Sequence, residues 1–470
     1  MPPPATGQHD QVRPTRTGRL PSRVRGSLAA RVPDGSRRFF TALLLIVVVA
    51  FGVRTAFVLG VSRYDRHFYD AVFYQLEAQQ VATGHGFTDP FQALTHPNTP
   101  LLPTAVHPPL TVLVLTPVAW ATGGSALAMR FTMVVLGSAA VLLVGLLGRE
   151  IAGTRVGLLA AAIAAVYPNL WVNDGLIMSE TLTALTVVIA MLLAYRLARR
   201  PRLLTAVGLG AVCGLATLAR AELVLLAPLL AVWFVLPKHR ATMRRRLARA
   251  GAILVAAGLV MAPWVAYNLS RFQTATFIST NDGATLLASN CDAAYHGYGL
   301  GLVVDAPGVC LPRIPPAGDE STVSRIYRGE GIHYMKGHLQ RLVVVSAARI
   351  GRDWSLFRPL DMLQWNENEG RPQWVTGLGL AFFYPLLALA IGGVVVLWRR
   401  RAGVWPLVVP AVIVTASTFA SYGQTRLRVE AEPSLVVLAS VALVPAYASW
   451  RARVRPSATT EARPPSLHPG

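Results

Sequence analysis

Long apolar runs separated by short basic clusters dominate this chain, and their lengths predict its elements. Phe39–Gly60 is apolar except for Arg54. It is long enough for a helix that crosses a bilayer, which needs about 20 residues. A cleaved signal peptide would have a shorter apolar core and a small-residue cleavage site, so an uncleaved first span is expected. Further spans are expected at Ser125–Leu147, Val156–Trp171, Thr181–Tyr195, Leu203–Leu218, Leu223–Leu236, Gly251–Tyr267, Val375–Trp398, Val404–Phe419 and Ser434–Trp450. The clusters between them are Arg196–Arg202, Lys238–Arg240 with Arg244–Arg246, Arg399–Arg401, and the tail from Arg451. Placing every cluster in the cytoplasm follows the positive-inside rule and gives ten spans with both termini inside. Leu110–Ala121 is apolar but short, and counting it as a span would move Arg196–Arg202 outside. It is therefore expected as a re-entrant or surface-lying helix on the outer side.

This map predicts an all-α polytopic membrane protein of about ten transmembrane helices, with juxtamembrane helices in two large outer loops. Its parts are a disordered basic tail (1–38), an N-terminal transmembrane catalytic module (39–267) with the first outer loop (61–124), the second outer loop (268–374), C-terminal helices (375–450) and a second disordered tail (451–470).

Composition agrees with that map. Charged residues are 14% of the 470, against about 25% in soluble domains. The mean hydropathy is +0.45. A net charge of +21 would suggest nucleic acid in a soluble protein. Here the cations lie between apolar runs, so the excess reads as topology and no nucleic-acid partner is expected. Under the map, 27 of the 44 Lys/Arg but only four of the 23 acids are cytoplasmic, which places the functional chemistry on the outer face.

Several outward-facing groups can carry that chemistry. Asp70, in Tyr64-Asp-Arg-His-Phe-Tyr-Asp70-Ala-Val-Phe-Tyr74, can act as a general base or metal ligand at the boundary. The plainer reading is an aromatic interfacial belt with a solvated carboxylate. His107-Pro-Pro109 marks a helix start and puts His107 where a phosphate could be met. Ser179 is placed to cap the helix that Glu180 begins; Glu180 has no other charge near it until Arg196, so it faces protein or a cavity. Arg220 and Glu222 lie in a hinge between two short apolar legs, either as a local ion pair or as a recessed anion site. Arg426 and Arg428 lie outside, where positive charge is disfavoured; phosphate recognition explains them, and so does pairing with Glu430 and Glu432. Cys291 and Cys310 share the second outer loop, where a disulfide is one reading and a free pair the other. No cysteine has zinc-site spacing. Asn268-Leu-Ser270 matches the N-glycosylation pattern.

The order of these features resembles the GT-C superfamily of integral-membrane glycosyltransferases. In sequence they are an acid after the first span, His-Pro-Pro, Ser-Glu at an outer helix start, Gly-Leu-Ala-x-Leu-x-Arg, and Arg-x-Arg with Pro before the last span. The likeness is to the RgtA/B/C/D-like group, related to protein O-mannosyltransferases and aminoarabinose transferases. It covers roughly residues 40–450. Asn290-Cys291, Tyr295-His-Gly297, Arg349 and Arg352-Asp-Trp354 resemble actinobacterial members.

The resemblance implies that Asp70 and Glu180 are catalytic acids, with Asp65 as the competing first-loop acid. Aminoarabinose transferases carry Lys where His107 stands. Tyr74, His107, Arg220, Glu222, Arg426 and Arg428 become the expected substrate or phosphate contacts. The resemblance further implies a polyprenyl-phosphate sugar donor, a glycan, lipid or protein acceptor, and a divalent metal with Asp70, Glu180 and His107 as candidate ligands. The expected function is inverting sugar transfer to an acceptor hydroxyl on the outer face of the plasma membrane. An envelope oligosaccharide ligase or polymerase, using Arg325, Arg328, His333 and His338, is the alternative. A lipid or sugar transporter is disfavoured by the large outer loops and the lack of paired broken spans.

Overall fold

The computed structural model describes residues 34–65, 70–96, 98–236 and 242–454, the side chains of 34, 35 and 447–454 excepted. The expected basic tails fall almost wholly outside these residues, as do His67 and Lys238–Arg240. Among the described residues the structure is helical, with no strand beyond isolated bridges. In chain order the helices are α1 (Asp34–Gly60), α2 (Asp70–Ala82), α3 (Pro90–Thr95), α4 (Leu110–Thr122), α5 (Ala126–Ala152), α6 (Thr154–Val166), α7 (Pro168–Trp171), α8 (Glu180–Arg199), α9 (Leu203–Ala219), α10 (Leu226–Val235) and α11 (Met243–Arg271). The second half adds α12 (Asn281–Ser289), α13 (Asp292–Tyr295), α14 (Glu320–Gly337), α15 (Leu339–Asp353), α16 (Asp361–Glu367), α17 (Gln373–Arg399), α18 (Trp405–Ala420) and α19 (Glu432–Val454).

Five of these are long and apolar enough to cross a membrane: α1 (extended to Tyr64), α5, α8, α11 and α17. The pair Thr154–Val166 and Pro168–Gly175, bent by 62°, is together long and apolar enough to make a sixth. The cause is Pro168: Tyr167 before it is forced into an extended conformation, and the helix restarts on the proline. Four shorter apolar helices (203–219, 221–235, 405–420 and 432–446) occupy the remaining expected spans. The stretch expected not to span is α4, 13 residues from Pro109 to a left-handed cap at Gly123. At 1.5 Å per residue such a helix is about 20 Å long, short of a bilayer core of about 30 Å.

Helices α9 and α11 approach closely. A Cβ at Gly210 would strike the Ile253 carbonyl, and one at Gly214 would meet Ala257 O at 2.8 Å. Small residues four apart permit such backbone contact in lipid, where packing rather than water exclusion drives association. A charge pair is buried between α1 and the turn before α8: Arg54 Nε donates to Asp174 Oδ2 at 2.6 Å, while its Nη1 reaches the Ala50 and Ala165 carbonyls. Thr181 donates to the other Asp174 oxygen.

The two long loops, 61–124 and 268–374, are stitched to each other. Glu320, at the start of α14, accepts from Thr104 Oγ1 at 2.6 Å, from the Ala105 amide at 2.8 Å, and from Thr280 Oγ1. Thr280 N donates to Ala105 O, and Ser279 Oγ to Val106 O. Arg271, ending α11, donates to the Phe87 and Thr104 carbonyls. Cys291 and Cys310 form a disulfide with a Cα–Cα distance of 5.6 Å. Asn268 is fully buried and donates to Phe277 O, so it is closed to glycosylation despite its sequence pattern.

Arg54→Met should lower the thermal unfolding midpoint in detergent strongly, because it leaves Asp174 buried and unpaired, a loss of about 3–5 kcal/mol. Replacing both partners with apolar residues should recover most of that. A double variant as unstable as the single one would show that the pair is not the source of the effect.

Candidate functional site

Asp70 opens α2, where the helix dipole favours a carboxylate in the first turn. Its Oδ2 accepts from Arg426 Nη1 at 3.0 Å, and its Oδ1 stands 3.9 Å from His107 Nε2. The Asp70 side chain keeps 37% of its surface exposed. Burial pushes its pKa up, but Arg426 and His107 outweigh that and hold it below the usual carboxylate range. His107 is pushed down, chiefly by burial, against the attraction of Asp70. Its ring stacks on Tyr74 (centroids 4.6 Å apart) and meets the edge of Phe73. Asp70 is thus ionised and faces a fixed imidazole.

Arg426 also binds Glu369 Oε1 at 3.2 Å. Glu369 Oε2 binds Arg371 at 2.8 Å, and Arg371 reaches Glu180 Oε1 at 3.1 Å. Gln424 donates to Glu369 as well. The result is a chain of alternating charge, Asp70–Arg426–Glu369–Arg371–Glu180, that joins the first outer loop, the turn before α17, the turn before α19 and the start of α8. Burial pushes Glu369 up, opposed by its two arginines. Glu369 and Arg371 were not singled out in the sequence. The signal existed: Arg371 is an outer-side cation next to acids, the same pattern that drew attention to Arg426.

Asp70, Arg426 and Glu180 of this chain line a cavity of about 910 Å³, together with Tyr74, His107, Arg220 and Glu222. It extends to Asp282, Arg325 and Arg328 on α12 and α14. Arg220 pairs with Glu222 at 2.8 Å and lies 3.8 Å from Glu430. Buried atoms without a hydrogen-bond partner in this group include Glu180 Oε2, Arg220 Nη1, Arg426 Nε and both carboxylate oxygens of Glu430. Ser179 occupies the N-cap of α8 but makes no side-chain cap; its hydroxyl faces Tyr74.

Arg428 departs from the expectation set beside Arg426. The 3-10 turn Thr425–Glu430 puts the two arginines on different sides. Arg428 turns inward, donating to Glu432 at 2.8 Å and to Asp353 O at 2.6 Å, with its guanidinium 3.6 Å from the Phe383 ring centroid. It does not line the cavity. Asp65 lines neither this cavity nor its neighbour. His333 and His338 are exposed and away from the cavity as well.

Asp70 and Glu180, two of the expected metal ligands, are each engaged by an arginine. Among the described residues no three His, Cys, Asp or Glu converge on a common centre. The residues as arranged do not fit a divalent-metal site, and no step below is routed through one.

The sequence family described as Dolichyl-phosphate-mannose-protein mannosyltransferase (PMT_2) matches residues 106–267. No curated protein sequence matches the chain. Among solved structures, the oligosaccharyltransferase AglB from Archaeoglobus fulgidus, in complex with an inhibitory peptide and a dolichol-phosphate, superposes with a TM-score of 0.54. It is 14% identical over 90% of this chain and 52% of its own. The same organism's oligosaccharyltransferase in complex with Zn and sulfate gives 0.51 at 15% identity, over 88% of this chain and 50% of that one. ArnT from Cupriavidus metallidurans bound to undecaprenyl phosphate gives 0.43 at 13% identity, over 87% and 78%. The chain spans about half the length of the oligosaccharyltransferases it matches.

The charge chain makes a measurable claim. Arg426→Met should lower the unfolding midpoint, and adding Glu369→Gln should restore part of the loss. A double-mutant cycle should give a coupling of about 0.5–3 kcal/mol; strict additivity would show that the two side chains do not interact.

Proposed function

With the fold of the GT-C superfamily of membrane glycosyltransferases as the premise, we propose that this multi-pass membrane protein transfers a sugar from a polyprenyl-phosphate donor to an acceptor hydroxyl, on the outer face of the plasma membrane. The observation that carries the reading is Asp70, ionised and held between Arg426 and His107 at the wall of a large cavity. A donor with a lipid phosphate suits that cavity. Arg220 and Arg426 line it and supply positive charge for a phosphate, and Glu180 lines it as a hydrogen-bond acceptor for a sugar hydroxyl. A cavity facing outward has no access to cytoplasmic nucleotide sugars.

In the step itself, Asp70 takes the proton of the acceptor hydroxyl as its oxygen attacks the anomeric carbon. The bond from that carbon to the phosphate oxygen breaks, and the electron pair leaves with the polyprenyl phosphate. Arg426 and Arg220 stabilise the charge that develops on the leaving phosphate. Displacement in one step inverts the anomeric centre. His107, kept neutral by burial, fixes the far side of the carboxylate through its stack on Tyr74. Arg426 therefore serves both partners, lowering the basicity of Asp70 while drawing off the leaving group. Of the four residues of the ligase reading, Arg325 and Arg328 line the cavity, whereas His333 and His338 are exposed and do not.

Asp70→Asn should lower transfer from a polyprenyl-phosphate donor about 10²–10⁴-fold, the usual range for a lost general base. Asp65→Asn should stay within a few-fold of wild type. The reverse result would move the role to Asp65, and two silent variants would remove the glycosyltransferase reading. The pH profile gives a second check. Asp70 works deprotonated, and Arg426 holds its pKa down, so Arg426→Gln should move the acid limb of the rate profile to higher pH. An unmoved limb would show that Arg426 does not set the charge of Asp70.

A further inference from the structure

A second cavity, of about 330 Å³, meets the large one at Asp70, Val106 and His107. The rest of its lining is Phe73, Asp89, Phe91, Thr104 and Glu320. The two cavities differ sharply in charge. The large one balances four arginines (Arg220, Arg325, Arg328 and Arg426) against four acids (Asp70, Glu180, Glu222 and Asp282). The smaller one contains three carboxylates and no Lys or Arg. A phosphate entering it would meet Asp89 and Glu320 with no cation in the lining, and such like-charge contact works as rejection of a wrong ligand.

The smaller cavity also has the chemistry of a site rather than of a void. Phe73 and Phe91 meet edge to face, with centroids 5.7 Å apart, and offer an apolar platform. Around it Asp89 and Glu320 are held rigidly. Asp89 caps α3 through the amides of Phe91 and Gln92, and Glu320 is the stitch between the two outer loops. Fixed carboxylates bonded to backbone amides retain further lone pairs that can accept from ligand hydroxyls. The volume lies at the lower end of small-molecule pockets.

We propose that this smaller cavity is the acceptor subsite, and that it takes a hydroxyl-bearing ligand portion no larger than a single sugar ring and carrying no negative charge. The assignment rests on the glycosyltransferase reading above and adds to it the acceptor's place and class. The donor's phosphate stays among the arginines, the acceptor's hydroxyl arrives from the Phe73–Phe91 side, and the two meet at Asp70. Asp89 and Phe91 thereby become determinants of acceptor specificity that the sequence had not marked.

The test uses the full chain in lipid nanodiscs with Phe91→Cys as a reporter thiol; Cys213 is buried and Cys291 and Cys310 are bonded to each other. Rates of modification by a cationic trimethylammonium methanethiosulfonate and an anionic sulfonate analogue are compared, each corrected for its rate on a free thiol. The cationic reagent should be favoured by about tenfold, the lower end of electrostatic focusing in clefts of one sign. Adding Asp89→Asn should narrow that preference. Modified protein should still bind undecaprenyl phosphate but lose sugar transfer in membranes. Equal rates for the two reagents, or loss of undecaprenyl phosphate binding on modification, would overturn the acceptor assignment alone. Failure of the unmodified protein to bind undecaprenyl phosphate would instead overturn the donor reading, and the acceptor assignment with it.

Discussion

An ionised group withdrawn from water must find an opposite charge or a cavity, and that constraint organises the loops around this site. Asp70, Arg426, Glu369, Arg371 and Glu180 come from four separate stretches of chain, and each satisfies the next. No member could be solvated elsewhere without displacing a helix start or a loop. The same network that holds the loops in place therefore also sets the charge of the proposed base. Structure and chemistry are not separable there.

Much of the membrane architecture could be read from the sequence because two simple quantities carry it: the length of apolar runs and the position of arginines. The run Leu110–Ala121, set apart from the spans by length and charge parity together, forms the 13-residue helix α4. The break at Pro168, within the run Val156–Trp171, was not foreseen, although a proline there restricts the residue before it. Side-chain direction was less accessible. Arg426 and Arg428 are two residues apart and look equivalent in sequence, but a 3-10 turn sends one to the cavity and the other inward to Glu432. Glu369 and Arg371 were missed because their partners are far away in sequence.

The motifs noted in the second outer loop turn out to serve one another. Arg349 donates to Asn290 Oδ1 and to Ser289 O, and Tyr295 donates to the same Asn290 oxygen. Arg352 binds the Leu300 and Tyr298 carbonyls. Burial lowers the Arg349 pKa to about 10, and it raises Asp353, beside Arg428, to about 8. These residues build a folded platform beside α18 rather than a reactive centre. Their grouping in sequence reflected architecture.

The stitch at Glu320 has a consequence for how such a chain can diversify. Residues 104–107 and 279–280 are tied together by backbone and carboxylate bonds, whereas 98–102 and 305–309 are largely exposed. Insertions and deletions can accumulate in the exposed stretches without disturbing the tied ones, because loops tolerate length changes where few contacts cross. Each outer loop is thereby split into a part that lineage can rewrite and a part that it cannot. New surface can be grafted at the rim while the tied wall of the cavity keeps its bonds.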